Sequence, residues 1–322
     1  MTFSIVARCA QTGELGVAVS TAVPAVGAMC PYLRAGVGAV TTQSWVNPYL
    51  ALQALERLAL GDSADAALAH VLRSDPSAHL RQLGVVDRAG HSAAWTGPAC
   101  TGWAGERCGE GYTVQGNMLT GPATLDAMVR AFYAGCGEPL AQRLMAALEA
   151  GQAAGGDRRG RQSAALRVFG KEDYALLDLR VDEHPDPVAE LRRVFDIALQ
   201  QLVPFVAGMP TRDDPGRVPD ADATSMLLAA PAERPGARCP ARGADAARGG
   251  SFAAQSATLA HWMGTRFEPE HVEHNLNVYR GIADEIARLR ELDLADLHPA
   301  IVFEPLLGRR PAVRDNGGAT DD

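Results

Sequence analysis

Thr2-Phe3-Ser4-Ile5-Val6-Ala7 and, after Gln11-Thr12-Gly13-Glu14, Leu15-Gly16-Val17-Ala18-Val19-Ser20 set the architecture of the chain. Each hexad is short, largely apolar and carries β-branched residues. The four residues between them have turn chemistry, so the pair reads as a β-hairpin that opens the protein. Outward from it, a third strand is expected at 36–44. Pro48 sits where a helix would begin, and Leu50, Leu52, Leu55, Leu58 and Leu60 give that helix an apolar face before Gly61 ends it. Asp62 or Ser63 caps a second helix, which Asp75-Pro76 closes.

Strands are expected at 82–86 and 91–95 around the turn Asp87-Arg88-Ala89-Gly90. A glycine-rich stretch at 97–111 precedes a short β segment at 112–115. Helices at 123–133 and 139–150, a strand pair at 164–169 and 175–181, and a helix from 187 to about 201 complete the series. Strands and helices thus come in runs instead of alternating singly, which predicts an α+β protein of layered antiparallel sheets and helices. That domain is assigned to 1–205. From 206 to 250 the chain is dominated by Pro, Gly, Ala, Asp and Arg and is expected to be a disordered linker. Beyond it, Val272, Leu276, Tyr279, Ile282, Ile286 and Leu289 recur at threes and fours. They predict a small all-α module at 251–322 whose apolar stripe needs a partner to cover it.

Composition narrows the function. The 322 residues carry a formal charge of −8, with 47% hydrophobic and 21% charged residues, a soluble globular profile without the basic footprint of a nucleic-acid binder. No apolar run reaches membrane-spanning length and no secretory signal is read at the start, so a cytoplasmic protein with no membrane partner is expected. Six cysteines form no C-x-x-C pair; no structural zinc, other metal or cofactor is expected. Lys171 is the only lysine, which leaves one candidate for any mechanism that needs a catalytic lysine.

Thr2 is the first candidate for chemistry. Removal of Met1 would leave a hydroxyl and a free α-amine on one residue, and that amine, with an ordinary pKa of about 7.7–8.0, could deprotonate the hydroxyl near neutral pH. Most second-position threonines have no such role, and retention of Met1 would abolish it. Gln43 and Asn47 bracket the end of a strand, where side chains and backbone N–H groups could orient an amide or stabilise an oxyanion. Gly155-Gly156-Asp157-Arg158-Arg159-Gly160-Arg161-Gln162-Ser163 lies between a helix and a strand. It is either a carboxylate-binding loop or a solvated turn closed by one Asp–Arg pair. Asn117 is a turn residue or a ligand.

These segments, together with Gln115-Gly116-Asn117-Met118-Leu119, resemble the bacterial and archaeal family known as domain of unknown function 1028 over about 1–205. The resemblance implies an N-terminal-nucleophile (Ntn) hydrolase-like sandwich of four α/β/β/α layers. It strengthens Thr2 as nucleophile, and with it Gln43 and Asn47 are expected to assist catalysis and Asn117, Asp157, Arg158, Gln162 and Ser163 to bind substrate. The lysine that proteasome-type members of that superfamily hold beside the nucleophile is missing, and Arg34 is the nearest substitute in sequence. Phe267-x-Pro269-x-His271-Val272-x-x-Asn275-Leu276, followed by Leu292-x-Leu294-x-Asp296-x-x-Pro299-Ala300, resembles AtzG-like small subunits of amidase-signature enzymes. That implies docking of 255–306 onto an amidase large subunit. The expected function is hydrolysis of a small-molecule amide or ureide by a homo-oligomer. The alternative is a non-catalytic scaffold that stabilises an amidase.

Overall fold

A computed structural model describes residues 2–236; the helical module expected at 251–322 lies outside the described residues. The chain begins with β1 (Thr2–Arg8) and β2 (Leu15–Thr21), passes through a four-residue helix α1 (Val26–Met29), and forms β3 (Pro31–Arg34) and β4 (Gly38–Ser44). Helices α2 (Pro48–Ala59) and α3 (Ala64–Ser74) follow, then β5 (Arg81–Asp87), β6 (Ser92–Thr96), β7 (Trp103–Gly109) and β8 (Tyr112–Leu119). Helices α4 (Ala123–Ala134) and α5 (Leu140–Ala153), strands β9 (Ser163–Phe169) and β10 (Ala175–Val181), and helices α6 (Pro187–Ala207) and α7 (Ala221–Leu228) complete it. No helix among the described residues is long and apolar enough to cross a membrane.

Two antiparallel sheets result, one of six strands in the order β10-β9-β2-β1-β8-β7 and one of four in the order β3-β4-β5-β6. They lie face to face, with β1 and β8 against β4 and β5; α4, α5 and α6 cover the outside of the larger sheet, and α2 and α3 that of the smaller. The α+β expectation holds, in four layers. Asn47 caps α2 by accepting the Tyr49 N–H, with Pro48 in the first turn, and Ser63 caps α3 by accepting the Ala66 N–H.

The alternation of β1 sorts its side chains between two environments. Phe3, Ile5 and Ala7 join Leu144, Leu148 and Phe195 in the core between the larger sheet and its helices. Thr2, Ser4 and Val6 point the other way, into the space between the sheets. Towards the Arg8 end that space is apolar, where Val6, Leu15 and Val17 meet Ala39 and Val86. Towards Thr2 it turns polar.

Three elements depart from the sequence reading. β3 and α1 are short pieces in a segment without clear periodicity, and β7 occupies a stretch whose glycines argue against a strand; its ladder with β8 overrides local propensity. The disordered linker expected at 206–250 is corrected for its described part. α6 runs to Ala207, and Asp220 caps α7 by accepting the Ala223 N–H at 2.8 Å. The segment folds back on α6, with the Gln201 amide donating to the Pro235 carbonyl at 2.7 Å. Residues 237–250 lie outside the described residues.

Candidate active site

Strands β1, β4, β5 and β8 bring a layer of amides and hydroxyls together between the sheets. Ser4 Oγ donates to Gln43 Oε1 at 2.7 Å and receives Gln115 Nε2 at 2.6 Å, which also reaches Thr41 Oγ1 at 2.9 Å. Gln82 is the hub. Its Oε1 accepts from Gln43 Nε2 and from Asn117 Nδ2, each at 2.8 Å, and its Nε2 donates to Thr96 Oγ1 and the Gly116 carbonyl, also at 2.8 Å. The Thr96 hydroxyl in turn donates a hydrogen bond to the Glu106 carboxylate. No fully buried side-chain atom of this network lacks a partner, as burial away from water demands. Gly84 makes room for it: a Cβ there would stand 2.3 Å from Gln115 Oε1.

Thr2 sits at the edge of this layer. It pairs in register with Thr21 on one side and Asn117 on the other. Its Oγ1 donates to Thr21 Oγ1 at 3.3 Å, and its carbonyl takes a 3.4 Å contact from Gln43 Nε2 across the sheet interface. Only 4% of the residue is exposed. Around it the backbone is strained. Among the described residues, the non-glycine positions with positive φ are Ala25 (56°), Ser44 (68°) and Met118 (50°). Ser44 follows Gln43, Met118 follows Asn117, and Ala25 lies in the loop that continues β2. Such left-handed residues cost about 1–3 kcal/mol each and gather at functional sites.

The 153–163 loop closes this end of the molecule. Asp157, 4% exposed, accepts the Ala22 N–H at 3.2 Å and the Arg159 N–H at 2.9 Å, and its carboxylate pairs with the Arg159 guanidinium at 3.1 Å. Ser163 Oγ donates to the Val23 carbonyl at 2.6 Å and accepts the Val26 N–H at 3.1 Å. The Gln162 N–H donates to the Thr21 carbonyl at 2.8 Å. These three residues therefore clamp the 21–26 loop, and Asp157 and Ser163 have their polar atoms committed to that task. Arg158 differs: its N–H holds the Met118 carbonyl while its exposed guanidinium has no partner among the described residues.

Two expected participants are elsewhere. Asn47 is the α2 cap, with its side chain engaged by the Tyr49 N–H at 3.1 Å and by Asp75, so it does not face Thr2. Arg81 in turn bonds Asp75, holding that carboxyl below its ordinary value, and ties down the Trp45 carbonyl at 2.8 Å. This brace fixes the 44–47 segment from behind. Arg34 is not the missing lysine's substitute. It pairs with Gly38, at the far end of β4 from Gln43, and five residues of strand put about 16 Å between those positions. The groups grouped around Thr2 are hydroxyls and amides: Thr21, Gln43 and Asn117. Cys30, buried under Val19 and Val26, has its thiol pushed up to about 12 by burial.

Thr21, Ser4, Gln82 and Gln115 were not anticipated from the sequence. Their signal is alternation, as in Thr113-Val114-Gln115-Gly116-Asn117, which ordinarily marks a strand with one wet face. Here the polar face meets another sheet.

A family model described as a family of unknown function, DUF1028, matches residues 2–191. No curated protein matches the chain. Among solved structures, it is similar to the crystal structure of protein SPO2555 from Silicibacter pomeroyi, which carries the same family model. The two share 30% identity over 68% of this chain and 96% of that one, with a TM-score of 0.63. Anbu (ancestral beta-subunit) from Yersinia bercovieri matches at 13% identity over 65% of this chain and 98% of that one, with a TM-score of 0.31, too loose a likeness to carry weight.

Proposed function

The chain belongs to the DUF1028 family of unknown function, and from that premise we propose that it is an Ntn-type hydrolase of a small amide or ureide, with Thr2 as nucleophile once Met1 has been removed. The observation that carries this reading is the setting of Thr2. It begins a strand hydrogen-bonded on both sides, at the polar end of the inter-sheet layer, and its neighbours Gln43 and Asn117 are each followed by a residue of positive φ. A nucleophile on so rigid a mount is preorganised. Thr2 Oγ1 attacks the substrate carbonyl, its α-amine takes the proton and returns it to the leaving nitrogen, and water then cleaves the acyl-enzyme. Backbone N–H groups of the segment after Gln43 stabilise the oxyanion. Arg158 holds a substrate carboxylate.

The inert scaffold is favoured by a specific observation: Thr2 is 4% exposed with its hydroxyl turned onto Thr21. One pair of measurements separates the readings. Intact-mass analysis of the purified full chain should give a mass lacking Met1, and a panel of small amides and ureides should include one that is hydrolysed by the wild type, lost in Thr2→Ala and partly restored in Thr2→Ser. Retained Met1, or full turnover by Thr2→Ala, refutes the nucleophile. In the same reading, residues 255–306 dock onto an amidase-signature large subunit. Co-expression with such a subunit should yield a complex that deletion of 251–322 abolishes.

A further inference from the structure

Four hairpin turns meet at the end of the sandwich opposite Thr2. Arg8 closes β1, Thr12 and Gly13 lie in the β1–β2 turn, Arg88 in the β5–β6 turn and Lys171 in the β9–β10 turn; with the β3–β4 turn they enclose a hollow of about 290 Å³. Its lining holds three cations and no carboxylate, the rest being Leu15, Thr12 and glycine. None of the three cationic side chains has a hydrogen-bond or ion-pair partner among the described residues, although most arginines near the surface of this domain find an acid, such as Arg57 with Asp62 or Arg167 with Asp178. In a chain of net charge −8, three cations line one concavity without a carboxylate among its lining residues, and the only lysine of the sequence is among them. The adjoining hollow of about 330 Å³ shares Arg8 but balances it and Arg143 against Glu110 and Glu138, so the excess of positive charge is confined to the first.

We infer that the Arg8–Arg88–Lys171 hollow is a binding site for a small polyanion, a phosphoryl compound or a polycarboxylate. Cations that line one concavity focus the potential and favour a ligand with several negative oxygens. The arginines offer planar forks for paired oxygens and Lys171 a point charge, while the Thr12 hydroxyl and the Leu15 side chain line the remaining wall. The volume limits the ligand to a small metabolite. Arg8 is six residues along β1 from Thr2, about 20 Å, so the anion does not touch the candidate nucleophile and the inference stands independently of that assignment.

Isothermal titration of the full chain with pyrophosphate and, separately, with citrate tests it at low salt. Saturable binding of at least one is expected, weakening as salt is added. The double variant Arg88→Gln/Lys171→Gln should bind about 100-fold more weakly, about tenfold for each charge-assisted contact removed. Arg73→Gln, an exposed cation at the end of α3, should bind as the wild type does. Both altered residues are exposed and unpartnered, so the double variant should keep the wild-type melting temperature. Binding of pyrophosphate alone assigns a phosphoryl ligand, of citrate alone a carboxylate ligand, and of both a general polyanion site. No saturable binding of either at millimolar concentration, or undiminished binding by the double variant, overturns the inference.

Discussion

Replacing Gln82 by leucine changes little in volume and much in hydrogen bonding. The side chain accepts from Gln43 Nε2 and Asn117 Nδ2 and donates to Thr96 Oγ1 and the Gly116 carbonyl, all four at 2.8 Å. In Gln82→Leu the Asn117 amide loses its acceptor in a buried setting. Gln43 Nε2 falls back on contacts of 3.4 Å to the Thr2 and Gln115 carbonyls, and three acceptors, Thr96 Oγ1 and the Gly105 and Gly116 carbonyls, lose a donor. One fully stranded donor at ~1–3 kcal/mol, a second partly relieved, and the weakened acceptors give a destabilisation of about 3–5 kcal/mol. That is a large share of the ~5–15 kcal/mol that holds a domain folded. Urea unfolding followed by tryptophan fluorescence measures it as a lower midpoint at unchanged slope. Adding Asn117→Leu removes the stranded amide, so the double variant should be more stable than the two single losses predict, with a coupling of ~1 kcal/mol or more. A loss below ~1 kcal/mol in Gln82→Leu, or strict additivity with Asn117→Leu, would refute the view of Gln82 as the centre of a dry network.

Acid should act through Asp87. Burial pulls its pKa up, but the His91 ring and the N–H groups of His91, Ala89 and Ala64 outweigh burial and hold it below the ordinary carboxylate value. Its stabilising effect is therefore complete above the unfolded value of about 3.9 and fades as pH falls through the lower folded value. Unfolding midpoints measured from pH 6 down to 2.5 should fall more steeply for the wild type than for Asp87→Asn, and parallel curves would exclude the assignment. Gly155→Ala should lower stability by about 1–3 kcal/mol, read as a lower thermal midpoint, because φ is +117° and the new Cβ would meet Thr120 Oγ1 at 2.3 Å; an unchanged midpoint would contradict that crowding. In native protein at pH 8, iodoacetamide should label exposed Cys136 and spare buried Cys30, whose thiol lies near 12. Peptide mass spectrometry showing equal labelling would refute the burial.

Much of the layer order was legible because it rests on local periodicity. The opening hairpin, the Pro48 and Ser63 helix starts and the β9–β10 pair follow from patterns a few residues long, and their run order implies antiparallel layers. β7 was missed because glycines mask a strand whose support comes from β8. The candidate site was legible only in part. Thr2 and Asn117 do fall side by side, and the 153–163 loop holds the carbonyls of the adjoining Thr21 and Met118, but Asp157 and Ser163 are buried clamps and not parts of a solvated turn. Arg34 lies far from Thr2 because a strand of seven residues separates its two ends by some 20 Å, and Asn47, beyond the end of that strand, is taken up by capping α2. The amide layer escaped notice because alternating polar residues look the same whether they face water or another sheet.

The place of β1 between β2 and β8 also sets a schedule. Its hairpin partner follows within twenty residues, but Asn117, which flanks Thr2 on the other side, lies 115 residues downstream. At ~5–20 residues per second a ribosome needs roughly 6–23 s to deliver it. Until then the start of β1 borders a half-built sheet, and the amide layer that later encloses it has no second wall. An aminopeptidase acting on the nascent chain would meet the start of β1 in that interval, before β8 docks and the strand becomes interior.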